Sequence, residues 1–137
     1  MVEKWFGWKG KILRIDLSKK KVVFQRLPEE LCRSFIGCRG INSKILYDEV
    51  QRNTNPFSPE NKLIVGTGPL EGTPLGMGRV SITTKSPRGT IAEGGIGGDF
   101  GPELKYAGYD HIVIEGKSEN PVYIWIDDSD VQIRDAT

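Results

Sequence analysis

The chain has 137 residues, with 19 lysines and arginines against 18 aspartates and glutamates. This length fits one domain around a single hydrophobic core, and without a block of like charge neither a nucleic-acid nor an anionic-membrane footprint is expected. Apolar runs such as KLIVG and HIVIEG are strand-length and too short to span a bilayer, and MVEKWFGWKGKIL has no signal-peptide core, so the expected location is cytoplasmic.

GKILRIDLS (10–18) and KVVFQRL (21–27) alternate apolar and polar residues and predict a hairpin closed by a lysine-rich turn. PEELCRSFIG predicts a helix that begins at Pro28 and two acids and leaves at Gly37. In GCRG, glycines on either side of Cys38 and Arg39 favour a non-helical turn. INSKILYDEV predicts a second helix with Ile41, Ile45, Leu46 and Val50 on one face. QRNTNPFSPEN, with two prolines, reads as a surface connection.

KLIVGTG then predicts a short buried strand and GPLEGTPLGMG a loop. RVSITTKS (79–86) is an alternating strand, and PRGTIAEGGIGGDFG reads as a second long loop. GPELKYAG predicts a short helix, with Pro102 near its first turn and Gly108 beyond its end. DHIVIEG, PVYIWIDD and VQIRD predict three closing strands. The fold class is α+β: strand-rich, largely antiparallel sheets with a few short helices, in one domain over 1–137.

Chemistry concentrates between 66 and 101, where eleven of 36 residues are glycine. Three readings stay open: tight turns and bulges in a twisted sheet, a nest of N–H groups for an anion such as phosphate, or a bare platform beneath a large planar ligand. The P-loop pattern is absent, and the G-x-G spacing in GGIGGDFG follows no clean strand–turn–helix unit. Arg79 stands between the two glycine segments as a candidate anion donor, Arg39 is a second, and Lys85 and Arg88 bracket a turn.

Glu93 and Asp99 flank the glycine run. A carboxylate pair can do acid–base work, and Asp99 also suits a helix N-cap. His111, on an apolar strand, reads as structural, and a chain with this one histidine lacks most general-base and triad schemes. Cys32 reads as a buried apolar group. Cys38, near an arginine, is the candidate for an exposed thiol of lowered pKa. Two cysteines supply neither a zinc site nor an iron–sulfur site. Trp5, Trp8 and Trp125 read as core or interface anchors.

The ordered strings FIGCRGINSKILYDEV, PFSPENKLIVGTGPLEGTP, GRVSITTKSP and GGDFGPELKYAGYDHIVIEGKSENPVYIWI together carry a resemblance. The chain resembles, over its whole length, the N-terminal domain of the tungsten-containing aldehyde ferredoxin oxidoreductase family. The resemblance implies a tungsten-bis(molybdopterin) cofactor resting on the two glycine segments, with Gly94, Gly95, Gly97 and Gly98 in the base and Arg79 as the arginine that contacts the pterin. Gly95 stands where some members carry asparagine; its main-chain carbonyl is the implied ligand of a magnesium bridging the pterin phosphates. SPRGTI is one residue shorter than the family's segment.

The implied reaction is oxidation of an aldehyde to a carboxylic acid, with electrons passing through a [4Fe–4S] cluster to ferredoxin. Related members imply acid or aromatic-ring reduction on the same scaffold. The cluster cysteines, the catalytic acid and the catalytic histidine belong to domains absent here, so the chain alone is expected to be inactive. It would be an excised piece, a split small subunit or a truncated reading frame, partnered by the remaining domains or a larger subunit, or by further copies of itself. The alternatives are a non-enzymatic module that binds pterin or docks onto a larger catalytic subunit, and a phosphate-ligand binder without the metal.

Overall fold

The computed structural model describes residues 6–76 and 78–137; the predicted anchor Trp5 lies outside them. The predicted hairpin forms as β1 (Lys11–Asp16) and β2 (Lys21–Arg26), and the two helices as α1 (Glu29–Phe35) and α2 (Cys38–Glu49). β3 (Lys62–Gly66) and β4 (Arg79–Lys85) follow, then β5 (Ile91–Gly97), α3 (Phe100–Tyr106), β6 (His111–Glu115), β7 (Val122–Asp127) and β8 (Asp130–Asp135). Six strands form one sheet in the order β2-β1-β6-β3-β4-β5, antiparallel at every pair except the parallel β1 and β6, while β7 and β8 form a separate hairpin.

Two expectations are corrected. The second glycine-rich segment is a strand over Ile91–Gly97, paired residue for residue with β4 from Lys85↔Ile91 to Arg79↔Gly97. Glycine disfavours a strand through entropy and the missing side chain, but a seven-residue ladder on the regular strand β4 supplies the order that local preference withholds. The GCRG segment is not a turn either. Cys38 and Arg39 open α2, because Gly37 in extended conformation and Cys38 at φ 45° complete the reversal from α1 before the helix starts.

The alternation of β1 splits the core in two. Ile12 joins Leu27, Cys32, Ile41, Ile45, Leu46, Ile64 and Val113 beneath α1 and α2. Leu13 and Ile15 face the other way, with Val65, Val80, Leu104, Tyr109 and Ile112, under α3 and the apolar face of the β7–β8 hairpin. The sheet is therefore covered on both faces around β1, β6 and β3, whereas β5, at the edge, is exposed over most of its length.

Two buried polar centres fix this arrangement. Asp110 is fully buried and accepts from the backbone N–H groups of Lys9, Gly10 and Lys11 at 2.7–3.3 Å and from the Lys105 ammonium at 2.6 Å. Its own carbonyl accepts from both the N–H and the hydroxyl of Thr67, at the head of the first glycine segment. Asn42 is the second centre. Its Nδ2 donates to the carbonyls of Ile64 and Ser81 and to the Thr83 hydroxyl, which turns Oδ1 toward His111 Nδ1 at 2.8 Å. Gly66 lies under that contact, and any Cβ there would overlap both partners.

His111 is structural, as expected: it is wholly buried, its Nδ1–H donates to Asn42, and burial lowers its pKa to about 4, with the Asp110 and Lys105 charges acting in opposite senses. In the unfolded chain imidazole protonates near its ordinary value of about 6.5. Between those values the unfolded state binds a proton that the native state refuses, so stability is full above pH 6.5 and is lost as pH falls toward 4. The expected loss is roughly 3 kcal/mol. Denaturant titrations at pH 7.5 and 5 should differ by about 2 kcal/mol from this source, since the chain has no other histidine. His111→Leu should flatten the slope while lowering stability at neutral pH, because it leaves Asn42 Oδ1 without its donor.

Candidate functional site

The two glycine-rich segments meet. The first, after β3, runs through a chain of tight turns: Glu71 N–H donates to Gly68 O, Thr73 N–H to Leu70 O and Gly76 N–H to Thr73 O. It returns to the sheet at Gly78, in left-handed conformation at φ 59°, where a Cβ would lie 2.9 Å from the carbonyl oxygen of Gly98. Gly98, at φ 96°, is itself the turn out of β5. Glycine is required at this crossing for two separate reasons: the backbone angle at both residues and the closeness of the two main chains.

Beside the crossing lies an open groove of about 490 Å³, lined by Cys38, Arg39, Arg79, Ser81, Glu93, Gly94 and Gly95. The ladder explains the membership. Arg79, Ser81 and Thr83 pair with Gly97, Gly95 and Glu93, and alternate residues point to the face that carries α2. The Arg79 side chain lies along bare backbone, with Nε 3.1 Å from where a Cβ of Gly95 would sit. Its guanidinium has no carboxylate or hydrogen-bond partner among the described residues, whereas its backbone N–H donates to Glu71 Oε2 at 3.2 Å. Arg39 reaches across from the first turn of α2 and pairs with Glu93 at 3.2 Å, its own side chain 72% exposed.

The structure thus brings Arg39, Arg79, Gly94 and Gly95 to one groove, with Gly97 opposite Arg79 on the ladder and Gly98 at the crossing. Lys85 and Arg88 lie elsewhere: Lys85 donates to the carbonyls of Gln51 and Arg52. A larger hollow, about 560 Å³, opens at the far end of α2 between Leu46, Val50, Lys85 and Ile91 and contains none of the predicted site residues. The groove at Arg79 is the better candidate despite its smaller volume, because there a guanidinium without a partner among the described residues lies against the bare main chain of the glycine ladder.

Asp99 occupies the N-cap position of α3 without a side-chain cap bond; its carbonyl accepts from Glu103 instead. Trp8 packs against the core and donates to Ile36 O at 2.7 Å, and Trp125 carries the Arg134 guanidinium 4.0 Å above its ring. Ser81 and Glu71 were missed as site residues. A lone glutamate between glycines, in GPLEGTP, was the available signal for Glu71.

The expected low-pKa thiol is also corrected. Burial pushes the Cys38 thiol up, and the nearby carboxylates of Glu71 and Glu93 push in the same direction, partly offset by Lys105. Arg39 does not act as an activating cation because Glu93 neutralises it. Cys32 is raised further, to about 11, by deeper burial and by the charges of Asp110 and Glu29.

The family model described as "Aldehyde ferredoxin oxidoreductase, N-terminal domain" matches residues 12–137. The chain belongs to this family. Among curated relatives, the tungsten-containing aldehyde ferredoxin oxidoreductase of Pyrococcus horikoshii is 50% identical over 135 residues, covering 96% of this chain and 22% of the relative. The aliphatic sulfonate oxidoreductase, WOR-like subunit, of Pyrococcus furiosus is 40% identical over 136 residues, with the same coverage. A solved structure described as "Active site complex BamBC of Benzoyl Coenzyme A reductase in complex with 1,5 Dienoyl-CoA" superimposes with a TM-score of 0.92 at 41% identity, over 96% of this chain and 20% of that one. This aldehyde ferredoxin oxidoreductase N-terminal domain therefore spans about a fifth of the length of the relatives it matches. Among its described residues no helix is long and apolar enough to cross a membrane, and no three histidine, cysteine or acidic side chains gather as a metal site.

Alkylation measures the thiol environment directly. With iodoacetamide at pH 7, Cys38 should react more slowly than free cysteine, since only the thiolate attacks, and Cys32 should react only on unfolding. Fast modification of Cys38 in the folded protein would contradict the assigned direction.

Proposed function

We propose that this chain is the cofactor-cradling part of a tungstopterin-dependent oxidoreductase that oxidises aldehydes to carboxylic acids with ferredoxin as electron acceptor. The observation that carries the reading is the Arg79 guanidinium, without a partner among the described residues, lying against Gly95 beside the crossing of the two glycine segments. A guanidinium with its fork open is suited to phosphate or to ring heteroatoms of a pterin. Side chains at 95 or 97, on the face that carries α2, would lift a large flat ligand off the main chain. The groove is concave, bare and cationic on one wall, which fits one edge of a bulky phosphorylated ligand.

In this reading Arg79 and Arg39 hold anionic groups, and Gly94, Gly95, Gly97 and Gly98 supply close backbone approach. The Gly95 carbonyl would be a ligand for a magnesium ion, which would neutralise phosphate charge. When bound, the tungsten centre supplies the two-electron redox chemistry. A [4Fe–4S] cluster and the substrate chamber are assigned to the remaining domains or to a larger subunit, and residues 1–137 form one domain of that cytoplasmic enzyme. The names of the relatives support an oxidoreductase; they attach to proteins about five times as long.

Glu93 has a distinct part. Its carboxylate occupies Arg39, so an incoming anion competes with it for the guanidinium. An exposed pair of this kind is worth at most about 1 kcal/mol, which makes the exchange easy.

The test uses the complete protein that carries this chain. Arg79→Ala should lower tungsten bound per polypeptide and weaken pyrophosphate binding by the cofactor-free protein about tenfold, the scale of a lost charged hydrogen bond. Glu93→Gln should raise pyrophosphate affinity a few-fold, and Arg88→Ala, outside the groove, should leave it unchanged. Unaltered tungsten content and pyrophosphate affinity in Arg79→Ala would remove this groove from the cofactor site.

A further inference from the structure

We propose that Glu71 is a positioning residue for this site, acting through Arg79; the inference rests on the cofactor-cradle reading. Glu71 belongs to the first glycine segment and is only 8% exposed. One carboxylate oxygen, Oε2, accepts the Arg79 N–H; the other, Oε1, is buried without a partner among the described residues. The nearby ammonium of Lys105 is already committed to Asp110 and to Gly7 O.

The space Glu71 occupies is made by missing side chains. A Cβ on Gly101, at the start of α3, would lie 2.6 Å from Oε1, and one on Gly78 would lie 4.0 Å from it. The carboxylate is thus wedged between the turn-rich first segment, the beginning of β4 and the first turn of α3, at the point where the glycine segments cross. Stability does not account for it. A carboxylate buried without a cation is costly, and an apolar side chain would fill the same gap at lower cost.

What an apolar residue would lack is the acceptor for Arg79 N–H. The residue before Arg79 is Gly78, in left-handed conformation, so the chain swings into β4 with little local restraint. Glu71 fixes the first peptide after that swing, and the direction of this peptide decides whether the guanidinium lies on Gly95. Glu71 never touches the ligand in this arrangement; it sets the residue that does.

Pyrophosphate binding to the cofactor-free complete protein separates this role from charge and from simple stability. Deleting a carboxylate beside a cationic groove would by charge alone raise anion affinity, so a fall has to come from misplaced Arg79. Glu71→Ala should lose about the same tenfold as Arg79→Ala, and the double variant should lose no more than Arg79→Ala alone, the mark of two residues acting as one unit. Glu71→Gln keeps the acceptor and the shape, and should bind at or above the wild-type level. Gly101→Ala, which presses on Oε1 from the other side, offers a second route if Glu71→Ala fails to fold. It should weaken binding with Arg79 present and change nothing in the Arg79→Ala background.

Wild-type affinity in Glu71→Ala, multiplicative losses in the double variant, or equal losses in Glu71→Gln and Glu71→Ala would each overturn the inference while leaving the cradle reading intact. An unaltered Arg79→Ala would overturn both.

Discussion

Asp110 is the point on which the rest of this molecule depends. Its carboxylate gathers the backbone entering β1 and the ammonium of α3, and its carbonyl holds Thr67 where the first glycine segment leaves β3. The first glycine segment is therefore tied at its head to the same buried residue that holds α3, the helix following the second. Removing one partner of a buried pair such as Asp110 and Lys105 typically costs about 3–5 kcal/mol, because the other charge is stranded. With several backbone donors as well as a cation, Asp110 is better satisfied than most buried carboxylates, and the bare backbone can cross in a defined place instead of sampling many.

The opposite face of β3 uses neutral groups for the same purpose. Asn42 spans from α2 to β3 and β4 and fixes the His111 tautomer, with Gly66 leaving room for the contact. This network sets the depth at which α2 sits on the sheet, and hence where Arg39, on the first turn of α2, meets Glu93 on β5. The groove is thereby a product of the sheet's polar interior as much as of its glycine edge. Apolar packing alone would leave the helix free to slide along β3 and β4; directional bonds to Ser81 and Thr83 remove that freedom.

The relatives are named as an aldehyde ferredoxin oxidoreductase, an aliphatic sulfonate oxidoreductase subunit and a benzoyl coenzyme A reductase complex, yet each matches 96% of this chain. Under the proposed function, that pattern would fit a shared base for a cofactor, with substrate choice made in other parts of those proteins. The chemistry available within this chain agrees with such a division. Its one histidine is buried and held neutral, both thiols are shifted up, and the exposed polar groups of the groove are two arginines, a serine and a glutamate. In the proposed reading these groups bind and orient.

The amino-acid sequence by itself determined the strand-rich α+β class, the opening hairpin, the helix that starts after Pro28, the three closing strands and the structural role of His111. In each case the information lies in near neighbours: alternation, helical spacing, a proline at a helix start, an apolar run around an imidazole. The ordered motifs also carried the family. Only the tertiary structure decided that Ile91–Gly97 is a strand, since its order comes from β4 across the ladder and not from its own glycines. The same holds for Arg39, helical because Gly37 and Cys38 finish the reversal, and for Cys38, whose thiol is raised by burial and by Glu71 and Glu93. Glu71 itself reads as one more loop acid until Gly78 and Gly101 close around it, because an environment assembled from residues up to thirty positions away leaves no local pattern.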